Sequence, residues 1–171
     1  MRLFLAVNFT RPMKDALLDV QAQLYGRGVR GRFTPEENLH LTLAFIGEYP
    51  DPQPVLDALA GVSFTPFPLT LEGLGSFGSL WWAGLRDAPP LTAVVRRIRR
   101  ALADRGIPFD RKRFSPHVTL VRKAQGDLAG ASLAPASMTV EDISLMRSDR
   151  GKNGMRYTEV GTLTAAPGRQ A

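Results

Sequence analysis

No cysteine occurs in the 171 residues, which excludes a disulfide-stapled scaffold, thiolate zinc sites, iron–sulfur clusters and a cysteine nucleophile together. Long apolar runs are missing too. No stretch approaches the ~20 consecutive apolar residues that a membrane-crossing helix needs. The opening Met1-Arg2-Leu3-Phe4-Leu5-Ala6-Val7-Asn8 turns polar too early for a secretory leader, so the expected location is the cytoplasm. Histidine is scarce, with only two in the chain. Two imidazoles with no third ligand or paired carboxylates nearby do not complete a metal site, and no metal or other cofactor is expected.

What is present describes a folded domain: 44% hydrophobic and 22% charged residues in 18.7 kDa. At this size roughly 70% of the unfolded surface can be buried, so no covalent staple is required. The expectation is one domain over residues 1–164, two small lobes sharing a core, followed by a loose tail over 165–171. Neither a heptad pattern nor an apolar patch argues against a monomer.

Acidic side chains number 16 against 22 Lys plus Arg, a net charge of +6. The imbalance is local: residues 1–95 carry 7 basic and 9 acidic side chains, residues 96–156 carry 14 and 6. The clusters are Arg96-Arg97-Arg99-Arg100, Arg111-Lys112-Arg113, Arg122-Lys123 and Arg147 to Arg156. Eighteen of the 22 cations are Arg, whose planar fork matches phosphate oxygens. A polyanion such as RNA fits this distribution; so does a merely solvated helix face at Arg96 to Arg100.

Periodicity predicts a strand from Arg2 to Val7 and a helix capped by Thr10, with Pro12 in its first turn. That helix carries Met13, Leu17, Val20 and Leu24 on one stripe and ends near Gly26. A strand follows from Leu39 to Ile46, closed by Gly47, then a short helix around Val55, Leu56 and Leu59. Leu69 to Leu74 and Leu80 to Leu85 read as a hairpin. Pro89-Pro90 opens a helix with Leu91, Val94, Val95, Ile98 and Leu102 inward and arginines outward. His117 to Val121, Met138 to Met146 and Met155 to Leu163 complete the strands. The fold class is α+β: two largely antiparallel sheets related by a pseudo-twofold, helices on the outer faces and a central groove.

Both histidines sit in the same context, His40-Leu41-Thr42-Leu43 and His117-Val118-Thr119-Leu120. With 11 Thr and 22 Leu in the chain, Thr at +2 and Leu at +3 arises by chance about once in 120 per histidine. On a strand, i and i+2 share a face, so imidazole and hydroxyl project together while the aliphatic residues face the core. Strict alternation also sends Ala44 to the histidine face, Phe45 to the core and Arg122 away from His117. Two imidazoles titrating near neutrality suit proton transfer, and two hydroxyls can hold phosphate oxygens. Displacement at phosphorus is the chemistry this set fits.

The motifs resemble those of the 2H phosphoesterase superfamily. Met1-Arg2-Leu3-Phe4-Leu5-Ala6-Val7, Glu37-Asn38-Leu39-His40-Leu41-Thr42-Leu43, Leu74-Gly75-Ser76-Phe77, Trp82-Ala83-Gly84 and Phe114-Ser115-Pro116-His117-Val118-Thr119-Leu120 are similar to the RNA 2′,3′-cyclic phosphodiesterase, or 2′–5′ RNA ligase-like, branch. The Ser148 to Tyr157 hairpin extends the similarity. The resemblance implies a bilobal α+β fold and hydrolysis of terminal 2′,3′-cyclic phosphates of RNA to 2′-phosphates. It implies that His40 is the proton donor, His117 the proton acceptor, and Thr42 and Thr119 the phosphate-binding pair. It implies RNA ends or nucleoside 2′,3′-cyclic phosphates as partners. Alternatives are 2′–5′ ligation, binding of RNA ends with little hydrolysis, or hydrolysis of 2′–5′ oligoadenylate or small cyclic nucleotides. Relatives often carry Lys where Ala44 stands here. Arg122, Trp82 and Tyr157 are further candidate substrate contacts.

Overall fold

The computed structural model describes residues 1–167 of the chain. β1 (Arg2–Asn8) buries five successive residues, Leu3 to Val7, because it runs through the middle of a sheet. α1 (Arg11–Gly26) opens on Pro12, whose missing N–H costs nothing in the first turn, and buries Met13, Leu17, Val20 and Leu24. Thr10 occupies the cap position in extended backbone, but its hydroxyl makes no capping hydrogen bond. β2 (Arg30–Phe33), a 3-10 turn at Glu36–Asn38 and β3 (His40–Glu48) follow. Then come α2 (Gln53–Leu59), the hairpin β4 (Phe67–Phe77) and β5 (Leu80–Leu85), and α3 (Pro89–Asp104). β6 (Val118–Gln125), β7 (Ser137–Val140), β8 (Asp142–Gly151) and β9 (Gly154–Thr164) end the chain's regular structure.

Two wholly antiparallel sheets result, ordered β3-β1-β8-β9 and β2-β6-β5-β4-β7. The chain passes repeatedly between them. α1, which follows a strand of the first sheet, packs against β6 and β7 of the second; α3, which follows a strand of the second, packs against β3 of the first and against α2. One continuous apolar core therefore takes residues from both sheets, among them Leu5, Leu41 and Ile143 from the first and Leu69, Val118 and Leu120 from the second. The expected α+β class, the two sheets and the outer helices are all present. Among the described residues, no helix is long and apolar enough to cross a membrane.

The structure departs from the sequence expectation in four places. β2 was not anticipated, since Arg30-Gly31-Arg32-Phe33 has no apolar run; it exists because β6 pairs with it. The single strand expected over Met138 to Met146 is two, β7 and β8, which turn at Glu141 and join different sheets. Gly47 lies inside β3, with φ +86° and opposite Leu3, where it was expected to end the strand. Ala165 and Ala166 donate backbone N–H groups to the carbonyls of Glu141 and Phe64, each at 2.8 Å; the remainder of the tail, from 168 on, lies outside the described residues.

Candidate active site

His40 stands at the first position of β3, opposite Asn8 of β1. His117 immediately precedes β6, in which Thr119 lies opposite Trp82 of β5. Both rings are anchored in the same way. His40 Nδ1 is 2.6 Å from the Asn38 carbonyl, and His117 Nδ1 is 2.8 Å from the Ser115 carbonyl, in each case two residues back. A carbonyl only accepts, so Nδ1 carries the proton and Nε2 is the nitrogen left for chemistry. His40 Nε2 lies 2.9 Å from Thr42 Oγ1. The loop before β3 is itself held: buried Asn38 donates Nδ2–H to the Met155 carbonyl at 3.0 Å.

The two strands also share an irregularity. In β3 the partner of Ala6 is Thr42 and that of Leu5 is Ala44, so Leu43 is an extra residue. In β6 the partner of Trp82 is Thr119 and that of Trp81 is Val121, so Leu120 is extra. Each bulge puts two successive residues into the core, Leu43 with Ala44 and Leu120 with Val121, all at most 2% exposed. The side-chain alternation is thereby inverted beyond the bulge. Three expectations are overturned by this one device. Ala44 is in the core and not beside His40. Phe45 leaves the core face, opposite Phe4 and partly exposed, with the Arg2 guanidinium 5.5 Å from its ring centroid. Arg122 rejoins the face of Thr119 and is exposed.

β3 and β6 lie in contact, and Arg122 is near enough to His40 for its positive charge to act on that ring. Burial pushes the His40 imidazole below its ordinary value, the Asn38 carbonyl partly opposes this, and Arg122 adds to the lowering. Tyr157, opposite Ser148 in the β8–β9 hairpin, meets His40 edge to face at 5.2 Å, and Phe4 lies 5.1 Å from the same ring. Trp82 projects on the Thr119 face. Its indole lies across Gly75 so closely that a Cβ there would come within 2.3 Å of it. Its Nε1 is buried without a hydrogen-bond partner. Among the described residues, no three His, Asp or Glu side chains gather as a metal site would require.

Sequence reading missed two contributors. Phe77, 49% exposed at the hairpin tip, packs edge to face on His117 at 5.1 Å and lies tilted against Trp82 at 5.4 Å. A large aromatic beside a hairpin turn was the available signal. Gln21 is buried in α1, donating to the carbonyls of Thr34 and Leu120 at 2.9 and 3.0 Å. It therefore braces the β6 bulge from behind, and a polar residue interrupting an apolar helix stripe was its signature.

Comparison with known proteins bears on this arrangement. Residues 19–152 match the family model described as the 2′–5′ RNA ligase superfamily. An RNA 2′,3′-cyclic phosphodiesterase of Geobacillus stearothermophilus is 33% identical over 87% of the chain, which spans about half (52%) of that relative's length. A Thermus thermophilus protein of the same name is 34% identical over 99% of the chain and 94% of its own. The crystal structure of Escherichia coli LigT complexed with 3′-AMP superposes with a TM-score of 0.81 at 26% identity, covering 96% of each chain. Family model, full-length identity and backbone geometry agree that the chain belongs to the 2′–5′ RNA ligase superfamily.

Proposed function

We propose that the protein hydrolyses the terminal 2′,3′-cyclic phosphate of RNA to a 2′-phosphomonoester. The observation that carries this reading is the matched pair of Nδ1-anchored imidazoles, each followed by a threonine on its own face. The names of the Geobacillus and Thermus relatives and the nucleotide held by LigT point the same way. His117 Nε2 takes a proton from water as its oxygen bonds to phosphorus. The bond from phosphorus to the 3′ oxygen breaks, and that oxygen takes a proton from His40 Nε2. Thr42 and Thr119 hold the non-bridging oxygens, with Arg122 offsetting their charge. Which imidazole gives and which takes rests on the family resemblance, since the two sequence motifs are nearly symmetric.

The lowered His40 fits its role as donor only once substrate is bound. Burial and Arg122 disfavour its proton; an anionic phosphate between Arg122 and His40 reverses the second influence and favours it. Tyr157 stands on the His40 side, backed by the buried Phe4, and Phe77 and Trp82 on the His117 side, leaving Tyr157, Phe77 and Trp82 as aromatic faces for the terminal nucleoside.

The test is incubation with a nucleoside 2′,3′-cyclic phosphate in the presence of EDTA, followed by identification of the product isomer. The 2′-phosphate is expected, and His40→Ala or His117→Ala lowers turnover by at least ~10²-fold, the scale of lost general acid–base catalysis, while the fold persists. A 3′-phosphate product, or full activity in either variant, overturns the reading. Joining of two oligonucleotides through a 2′–5′ bond with little hydrolysis selects the ligase alternative.

A further inference from the structure

The edge of the second sheet carries a pair of arginines of which the reaction at the cyclic phosphate uses only Arg122. β2 is an outer strand, and its Arg32 lies directly opposite Arg122 of β6. Residues directly opposed in an antiparallel pair share a face. The next pair inward, Phe33 and Val121, faces the core, so Arg32 and Arg122 both face the side of His117 and Thr119. Both guanidinium groups are exposed, and among the described residues neither has a carboxylate or other hydrogen-bonding partner. Like charges directly across a strand pair are destabilising. Other exposed arginines differ among themselves: Arg30, two residues away, stacks on Tyr25 at 5.8 Å and Arg86 pairs with Glu72 at 3.3 Å, whereas Arg96, Arg100 and Arg113 are as unpaired as Arg32; what distinguishes Arg32 is its place opposite Arg122 on the face of Thr119.

The backbone is irregular on both sides of this pair. Gly31, just before Arg32, runs so close to β6 that a Cβ would come within 2.8 Å of Val121 and 2.9 Å of the Arg122 carbonyl. On the other strand Lys123, just after Arg122, has φ +53°, a left-handed conformation costly for a non-glycine residue. Two local irregularities therefore flank one like-charged pair, and no anion within the chain accounts for either arginine. A terminal cyclic phosphate carries a single negative charge, which Arg122 and one protonated imidazole already exceed. Arg32 stands one strand further out, ~4.8 Å from β6, on the open rim of the sheet.

We propose that Arg32 is a second phosphate-binding residue, which takes the phosphodiester on the 5′ side of the terminal nucleotide and so makes the enzyme prefer an RNA chain over a mononucleotide. This rests on the cyclic phosphodiesterase reading above and extends it to the class of substrate. A nucleoside 2′,3′-cyclic phosphate has no such second phosphate, and Arg32 is idle toward it.

The experiment compares kcat/KM for a short oligoribonucleotide ending in a 2′,3′-cyclic phosphate with that for a nucleoside 2′,3′-cyclic phosphate, in wild type, Arg32→Gln, Arg32→Lys and the control Arg30→Gln. Arg32→Gln is expected to lose about tenfold on the oligonucleotide, the size of one charge-assisted contact, and under about twofold on the mononucleotide. Arg32→Lys recovers part of the loss, and Arg30→Gln matches wild type on both. The Tm of Arg32→Gln is expected to equal or exceed that of wild type, because a repulsive pair has been relieved; a lowered Tm with equal losses on both substrates assigns Arg32 a structural role and overturns the proposal. Equal losses at unchanged Tm place it at the reacting phosphate, which also overturns it. Binding of an oligonucleotide ending in a 2′-phosphate, followed against salt, judges Arg32 even if wild type turns over neither substrate. The slope of log K against log salt should fall by about 0.7 in Arg32→Gln, and an unchanged slope overturns the assignment. Inactivity of wild type on both substrates refutes the cyclic phosphodiesterase reading instead.

Discussion

Burial and the nearby Arg122 charge together make His40 a poor proton holder in the folded protein, which bears on stability. In the unfolded chain His40 titrates at its ordinary value of 6.5, and in the folded protein it titrates lower. Between those two values the unfolded state binds more protons, so acid favours unfolding. The contribution is absent above about pH 7 and grows as pH falls through the ordinary value toward the lowered folded one. The wild-type Tm should therefore drop between about pH 7 and pH 5. His40→Asn, which keeps a hydrogen-bonding side chain but cannot titrate, should flatten that drop. Thermal scans at half-unit intervals measure both, and an equal acid-side loss in the two proteins would remove the burial argument. Thr42, 2.9 Å from His40 Nε2, accepts from the charged ring and donates to the neutral one, so the same pair serves both protonation states.

At the scale of the elements, the paired bulges set the composition of the groove. Core strands, amphipathic helices and the two histidine motifs could be read from the sequence because each follows a local period. Leu41 and Val118 alternate with the polar residues as a half-buried strand requires, and Leu91 to Leu102 recur with the helical period. Bulges obey no such period. They arise where β1 and β5 fix the pairing, so strict alternation puts Phe45 and Arg122 on the wrong face even where it finds the strands, β3 and β6, that carry them. β2 was invisible for a related reason: Arg30-Gly31-Arg32-Phe33 becomes a strand through pairing with β6, not through its own propensity. Gln21 shows what keeps the β6 bulge in place. Leu120 O accepts from the Thr34 N–H at 2.9 Å and from Gln21 Nε2 at 3.0 Å, and Thr34 O accepts the second Gln21 proton. Gln21→Leu keeps the volume but leaves the Thr34 carbonyl without that donor. It should cost about 1–3 kcal/mol, the penalty for an unsatisfied buried group, and should reduce turnover with it, because Arg122 and Thr119 lose their common support. Urea titration combined with the cyclic phosphate assay tests this; stability loss with undiminished kcat would show the bulge to be held without Gln21.

For the whole molecule, the interleaved chain path joins the two halves of the site thermodynamically. His40 belongs to the first sheet and Thr119 to the second, yet α1 and α3 each cross over to pack against the sheet that did not precede them. Leu24 of α1 and Val29 share the same core as Leu43 of β3 and Ile98 of α3, so neither sheet has apolar cover of its own to retain when the other opens. Unfolding should then be a single cooperative transition. Both tryptophans, Trp81 and Trp82, lie in β5, which makes indole fluorescence a reporter of the second sheet alone. Far-UV circular dichroism reports both sheets and the helices, and turnover reports the candidate site, which takes residues from both sheets. In urea all three signals are expected to share one midpoint and one slope, the latter about 1–3 kcal/mol per molar for a small domain or somewhat above for this length. Fluorescence shifting at a lower urea concentration than circular dichroism would mean that the second sheet opens separately. Activity would then vanish with the fluorescence, since the proposed mechanism needs Thr119, His117 and Arg122 as well as His40.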